Sequence, residues 1–468
     1  MIIDPKDQKK PLLYYFFQIE SFKRISEIAA SLFGFGSAFF ILRGLSIYEF
    51  GAYQLVLSLI AVASSFNVME VFDGIVTLDM RRYFNEGKRD WSKRIFFESA
   101  VPKLALSVAI AAVVFLGADL IARYYDPSIG LYIKIASVLL VSTTVLSIER
   151  TFLKAIFSVA HWSFAALKEL ARLFLVIVLV LFYQVDLREI LIIHVAADVI
   201  VLLGITVFLF LRLYRKVFSG VAAYPKSLML EIVKSFGKLS ILRFIASKTT
   251  GNAIPWFIKA LVNTEGVALY TLARGVLDTI GGLMPTSGTS ELMALKVHDK
   301  QALTRIFKRS VKYAFWLGLI LMIAGQTFVP PVLVALFPDY APAMPLVRIM
   351  LLILPIFGVY KVLKSTVTTL REIEIMMKKA LNEVWVILIG TPILLYFFGI
   401  SGSALVFLAI YAERIFYFYP RLVKKHAYLE LKIVDILTIN ASDREFIAGA
   451  GRYGLSMLKS FFRLKRKQ

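Results

Sequence analysis

The residues best placed to do chemistry are charged side chains that interrupt long apolar stretches. Lys168, Glu169 and Arg172 fall together in one stretch. Lys168 and Arg172 are four apart and share a helix face, while Glu169 and Arg172 have the three-residue spacing of an in-helix ion pair. Arg243 and Lys248 interrupt a second stretch, Arg274 and Asp278 a third, Lys361 and Lys364 a fourth. A charge at a bilayer centre costs about 2.5–3.5 kcal/mol on insertion scales, so such residues pair with one another or face a cavity. Arg grips phosphate oxygens with two parallel hydrogen bonds and Lys adds a compact charge. Lys168, Arg172, Arg243, Lys248, Arg274 and Lys361 are therefore candidates to hold an anion such as a diphosphate, with Lys361 and Lys364 also able to snorkel toward the interface.

Glu70, Glu169, Asp198 and Asp278 could carry a coupling ion, because a desolvated carboxylate near cations can exchange a proton. Each could equally be a structural partner, as could Asp73, Glu413 and Arg414. His194 lies four before Asp198, but neither it nor His161 has the neighbours to complete a metal site. Gly281, Gly282 and Pro285, with Gly288 nearby, can form a hinge or a static bend. Tyr53, Trp256, Tyr340 and Tyr396 fall near the ends of apolar stretches and suggest interfacial anchors.

Placing these residues requires a membrane. The chain has 468 residues, 59% of them hydrophobic, more than a soluble core can absorb. Its 54 Lys and Arg against 32 Asp and Glu give +22. Apolar runs along the whole length argue against a nucleic-acid partner, and basic excess in membrane proteins collects in cytoplasmic loops. There is no cysteine, which excludes disulfides and thiolate chemistry. No nucleotide-binding loop of the Walker type appears, no cofactor is implied, and the short outer connections leave little on which to build an enzyme's site.

Stretches of about 20 apolar residues predict twelve spans, near 24–43, 48–75, 97–122, 128–149, 152–183, 188–211, 236–260, 265–289, 312–337, 342–369, 376–398 and 401–421. Basic clusters alternate with nearly uncharged connections: one spans Arg81 to Arg94, another Arg212 to Lys238, a third Lys296 to Lys312. That alternation predicts both termini in the cytoplasm of a plasma-membrane protein. Residues 1–23 read as a cytoplasmic segment on the membrane surface, 217–228 as a linker, and 426–468 as a basic tail drawn to anionic lipid.

A duplication divides the spans. Ser46–Leu55 aligns with Asn263–Leu272 at an offset of 217, setting Tyr53 on Tyr270, and a second match at 213 sets Asp126 on Asp339. The expected fold is all-α, with six-helix bundles at 24–216 and 229–425 related by a pseudo-two-fold along the membrane normal and a substrate cleft between them.

At these segments the chain resembles the polysaccharide transporters, of the O-antigen flippase type, in the multidrug/oligosaccharidyl-lipid/polysaccharide flippase superfamily. The resemblance rests on RGLSIYEFGAYQLVLSL (Arg43–Leu59), where Glu49, Phe50, Gly51 and Tyr53 match the helix 1–2 turn. It extends to FDGIVTLDMRRYFNEGK (Phe72–Lys88), to Val262–Pro285 and to Leu336–Pro355. It implies a flippase moving a polyprenyl-pyrophosphate-linked oligosaccharide outward, alongside glycan polymerase or glycosyltransferases of the same pathway. The alternative is a drug or cation antiporter of the multidrug branch. Two departures bear on the choice: no apolar run of span length follows Lys425, unlike the lipid II flippase branch, and helix 7 carries Arg243 and Lys248 where the multidrug branch often carries acids.

Overall fold

The computed structural model describes residues 12–156, 163–183, 185–284, 293, 299–370 and 372–438, with the backbone alone for 12–24, 124–125, 208–209, 235–239, 373 and 433. Pro285, His161 and the basic tail beyond 438 lie outside the described residues.

The described residues form helices and no strand. The first half contains α1 (Leu12–Gly44), α2 (Ile47–Ser64), α3 (Asp73–Asn85), α4 (Arg89–Tyr125), α5 (Gly130–Ala155), α6 (Ser163–Phe182), α7 (Leu187–Ile205) and α8 (Leu211–Phe218). The second contains α9 (Met229–Leu261), α10 (Thr264–Gly282), α11 (Lys300–Leu336), α12 (Met344–Leu351), α13 (Leu354–Thr369), α14 (Ile373–Trp385), α15 (Thr391–Phe398) and α16 (Ser401–Lys425). A short α17 (Ile433–Leu437) follows. Residues 12–23 include the start of α1, so this part of the expected surface segment continues the first span's helix.

All twelve predicted spans fall on helix, several with revised ends. The second is broken between Ser64 and Val68, where a 3-10 turn (Val68–Phe72) carries Glu70 before α3 begins at Asp73. The fifth is α6, which begins at Ser163. Among the described residues seven helices are long and apolar enough to span, and the pair 338–351 and 354–369, bent by 49°, makes an eighth. In α6, α7, α9 and α10 charged residues dilute the apolar signal, among them Lys168, Glu169 and Arg172 in the first and Glu265, Arg274 and Asp278 in the last. The chain is a multi-pass membrane protein of about twelve spans.

The duplication is visible in element ends. Ser46 caps α2 by accepting from the amide of Glu49, and Asn263, 217 positions on, caps α10 by accepting from the amide of Gly266. Helices α4 and α11 both have 37 residues and start 211 positions apart, at Arg89 and Lys300. Each ends in a 3-10 turn opened by a proline, Pro127 or Pro338. The helix ends set the second match at 211, with Asp126 on Phe337, in place of the 213 read from residue identities. Packing repeats as well: α1 lies on α6 as α9 lies on α14, and α4 on α5 as α11 on α13.

The halves meet mainly through α2, which packs on α9 and α10. At the end carrying Ser46 and Asn263 they touch backbone to backbone: a Cβ at Gly51 would stand 2.1 Å from the Thr264 carbonyl oxygen. Phe50 packs on Tyr340 and Phe39 on Phe337 at the same end. Tyr53 and Tyr340 are 4% and 2% exposed, so they are core residues here and not the interfacial anchors their positions suggested. Tyr396, by contrast, is 80% exposed.

Two outcomes test this packing. Gly51→Ala should cost about 1–3 kcal/mol, because the contact is backbone and has no side chain to yield, and should lower the melting temperature in detergent. Gly117→Ala, with nothing within 4 Å, should not. The carboxyl of Asp435 is held below its ordinary range by the Lys308 ammonium, 2.9 Å away. A depressed folded-state value stabilises above the unfolded value and is lost as pH falls through the folded one. Hydrogen exchange at 433–437 should therefore be slow at neutral pH and rise on acidification below the usual carboxylate range, with the rise abolished in Asp435→Asn.

Candidate functional site: charged walls between two halves

In the first half the charged side chains close on one another. Lys168 on α6 meets Asp198 on α7 at 2.8 Å, and Arg172 meets Glu169 at 3.0 Å. Arg172 also donates to Nε2 of His194 at 2.7 Å. Arginine can only donate, so Nε2 must accept and the ring proton sits on Nδ1, 2.7 Å from the Tyr53 hydroxyl. Two cations face two acids, and the network is neutral within the half. The partner that Lys168 lacks on its own helix comes from α7. Nearer the end with the basic loops, Lys103 is almost wholly buried and pairs with Asp73 at 2.6 Å while donating to Ser147.

The second half differs. Arg414 on α16 lies between Tyr360 and Tyr411, 4.8 and 4.5 Å from their ring centres, and pairs with Glu383 at 2.5 Å. Lys379 pairs with the same carboxylate. Arg243 and Lys364 stand within Coulombic range of this group. Toward α10, Arg274 meets Asp278 at 3.6 Å and donates to the Gly251 carbonyl on α9 at 2.9 Å. Among the described residues five cations, Arg243, Arg274, Lys364, Lys379 and Arg414, stand near three acids, Asp278, Glu383 and Glu413, with Lys361 beside them. Lys364 and Asp278 are exposed at the protein surface yet have neighbouring side chains around them.

Between the halves, Lys248 on α9 meets Glu70 at 2.5 Å, and the hydroxyls of Ser65 and Thr249 lie 3.1 Å apart. Helix α9 is the only element of the second half to pack on the first toward the end with the basic loops, among the described residues. Its start is held there by the Glu98 carboxylate, which accepts from the amides of Leu228 and Met229. Among the described residues, the strongest contacts between the halves run through α2, α9 and α10.

The six candidate cations thus fall into three settings: Lys168 and Arg172 in the neutral network, Lys248 on the bridge, and Arg243, Arg274 and Lys361 on the positive wall. Lys361 donates to the Gly281 carbonyl at 2.8 Å, at the C-terminus of α10 where a cation is favoured. Gly281 itself is needed for close approach, since a Cβ there would meet the Phe357 ring at 2.7 Å. Lys103, Lys379, Glu383, Tyr360 and Tyr411 were not singled out from the sequence. The four-residue spacing of Lys379 and Glu383 inside a span was the available signal.

The bridge makes a prediction in a chain without cysteine. Ser65→Cys combined with Thr249→Cys should cross-link on oxidation and pin α9 to α2. The link should be read as a gel shift that reverses on reduction.

No protein-family model and no curated protein matches the chain. Among solved structures it is similar to an inward-facing multidrug resistance MATE family transporter of the MOP superfamily, with a TM-score of 0.71 and 14% identity over 85% of this chain and 95% of that one. It is also similar to the lipid II flippase MurJ in an inward closed conformation, with a TM-score of 0.68 and 14% identity over 89% of each chain. An outward-facing MATE transporter gives 0.60 and 16% identity over 88% of this chain and 95% of that one. At these identities the likeness is one of fold: the chain has the two-half helical architecture seen in MATE and MurJ transporters of the MOP superfamily.

Proposed function

We propose that the protein is a flippase that moves a polyprenyl-pyrophosphate-linked oligosaccharide from the cytoplasmic to the outer leaflet by alternating access. The observation that carries this reading is the positive wall of the second half, with five cations against three acids among the described residues. A diphosphate entering the cleft must leave water, and surplus fixed cations offset that loss where internally paired ones do not. The likeness to MurJ fits a lipid-linked cargo, with the lipid tail left in the membrane while the head group crosses.

In this proposal both termini are cytoplasmic, and the end bearing the basic loops faces the cytoplasm of a plasma-membrane protein. The seal at Gly51 and Thr264 then closes the outer side, and the higher TM-score against the inward-facing transporter agrees with that state. Opening outward requires the Gly51 seal to part and the Lys248–Glu70 bridge to rearrange. Glu70, Glu169, Asp198 and Asp278 are the candidates for coupling to an ion gradient. Glycosyltransferases or a polymerase of the same pathway would make and consume the cargo.

The likeness to MATE transporters favours a second reading, antiport of a cationic drug, for which the acids of the neutral first-half network would supply the site. The two readings separate in proteoliposomes. Exposure of a fluorescent polyprenyl-pyrophosphate glycan in the far leaflet should fall at least about tenfold in the Arg243→Gln, Lys364→Gln double variant, since charged hydrogen bonds contribute roughly 1.5–3 kcal/mol each. Lys168→Gln should retain more of that exposure. Movement of a cationic dye, with none of the glycan, would sink the flippase reading and leave the antiporter.

A further inference from the structure

Where α11 begins, a pocket of about 520 Å³ is lined by Gln301, Thr304, Arg305, Lys308, Arg309 and Tyr428. One wall is the segment that follows α16 and folds back along α11. The backbone carbonyl of Tyr428 accepts from the Thr304 hydroxyl at 3.1 Å, Asp435 pairs with Lys308, and the Ile436 carbonyl accepts from the Trp316 indole at 3.0 Å. Asp435 therefore consumes the charge of Lys308. Arg305 and Arg309 have no acidic partner among the described residues, and both are exposed.

We propose that this pocket binds the phosphate of an anionic glycerophospholipid, with Arg305 and Arg309 as its ligands and the strap at Tyr428 as its far wall. Three features favour a lipid over a soluble phosphate. At 1.5 Å per residue, 37 residues make α11 about 55 Å long against a hydrocarbon core of about 30 Å, so its basic start projects into the headgroup layer. On the helical wheel the face that carries Arg305 and Arg309 continues through Trp316 to Ile320 and Ile323, which are 60% and 56% exposed. Headgroup ligands thus stand directly in line with an apolar strip fit for acyl chains, with a tryptophan at the level between them. On the strap, Val434 and Leu437 are exposed as well and widen the apolar surface beside the pocket.

The test is native mass spectrometry of the purified full chain titrated with dioleoylphosphatidylglycerol, with dioleoylphosphatidylcholine and inorganic phosphate as separate arms. Direct hydrogen bonds from a charged group to the phosphate contribute at least about tenfold each, so Arg305→Gln with Arg309→Gln should weaken phosphatidylglycerol binding at least about a hundredfold and leave phosphatidylcholine unchanged. An Arg212→Gln, Arg215→Gln pair, which removes two cations from α8 and leaves the pocket intact, serves as the charge control and should lower the affinity by clearly less, at most the about fivefold per cation of general surface charge. An unchanged melting temperature establishes that each variant is folded. Equal losses in the two pairs would reduce the effect to general charge and overturn the site. Undiminished phosphatidylglycerol binding in the first pair would overturn it directly. Inorganic phosphate bound as tightly as the lipid would overturn the choice of ligand.

Discussion

Charge in a hydrocarbon layer has to be neutralised or kept wet, and the arrangement of this protein follows from how each half meets that demand. In the first half the demand is met internally: Lys168 takes Asp198, Arg172 takes Glu169 and His194, and Lys103 takes Asp73. Those groups tie α6 to α7, and α4 to the start of α3, in the manner of polar contacts inside any bundle. Among the described residues of the second half's charged group the cations outnumber the acids, and a surplus of this kind is costly to fold around unless it meets water or an anion.

The same constraint shapes the junction. The seal at one end is made of backbone and aromatic contact, Gly51 on Thr264 and Phe50 on Tyr340, with no charge to break. Toward the other end the halves are joined through α9, by an ion pair and a hydroxyl contact. Apolar seals of this type separate without leaving unpaired charge, whereas Lys248 and Glu70 each need a new partner once parted. A bound anion near Lys248 and water near Glu70 would supply them, which links occupancy of the cleft to the freedom of α9.

Two kinds of basic surface are thereby separated in one chain. One lies within the second half, around Arg414 and Glu383. The other, at the start of α11, is outside that group and is walled by a strap that packs on its own half. Their chemistry is alike, but their neighbours are not: tyrosine faces and buried acids in the first case, exposed aliphatic side chains in the second.

The linear chain determined the helical class, the span positions and the duplication, because these depend on periodicity and on short-range capping. Ser46 and Asn263 announce the same helix start in both halves whatever lies around them. Apolar length alone placed α4 and α11, while charge obscured α6, α7, α9 and α10. Charged residues inside spans were also legible, since an interruption of an apolar run is visible without a fold. Which of them are spent on one another was decided only in three dimensions. The acids that answer Lys168, Lys248 and Lys103 come from 30, 178 and 30 residues away along the chain, and no helical spacing connects them. Tyr53 and Tyr340 looked like anchors because their distance from the span ends was known and their neighbours across the halves were not. Position along a span follows from local sequence; partnership, and so the sign of the charge that a cleft presents, follows from the packing of helices remote in the chain.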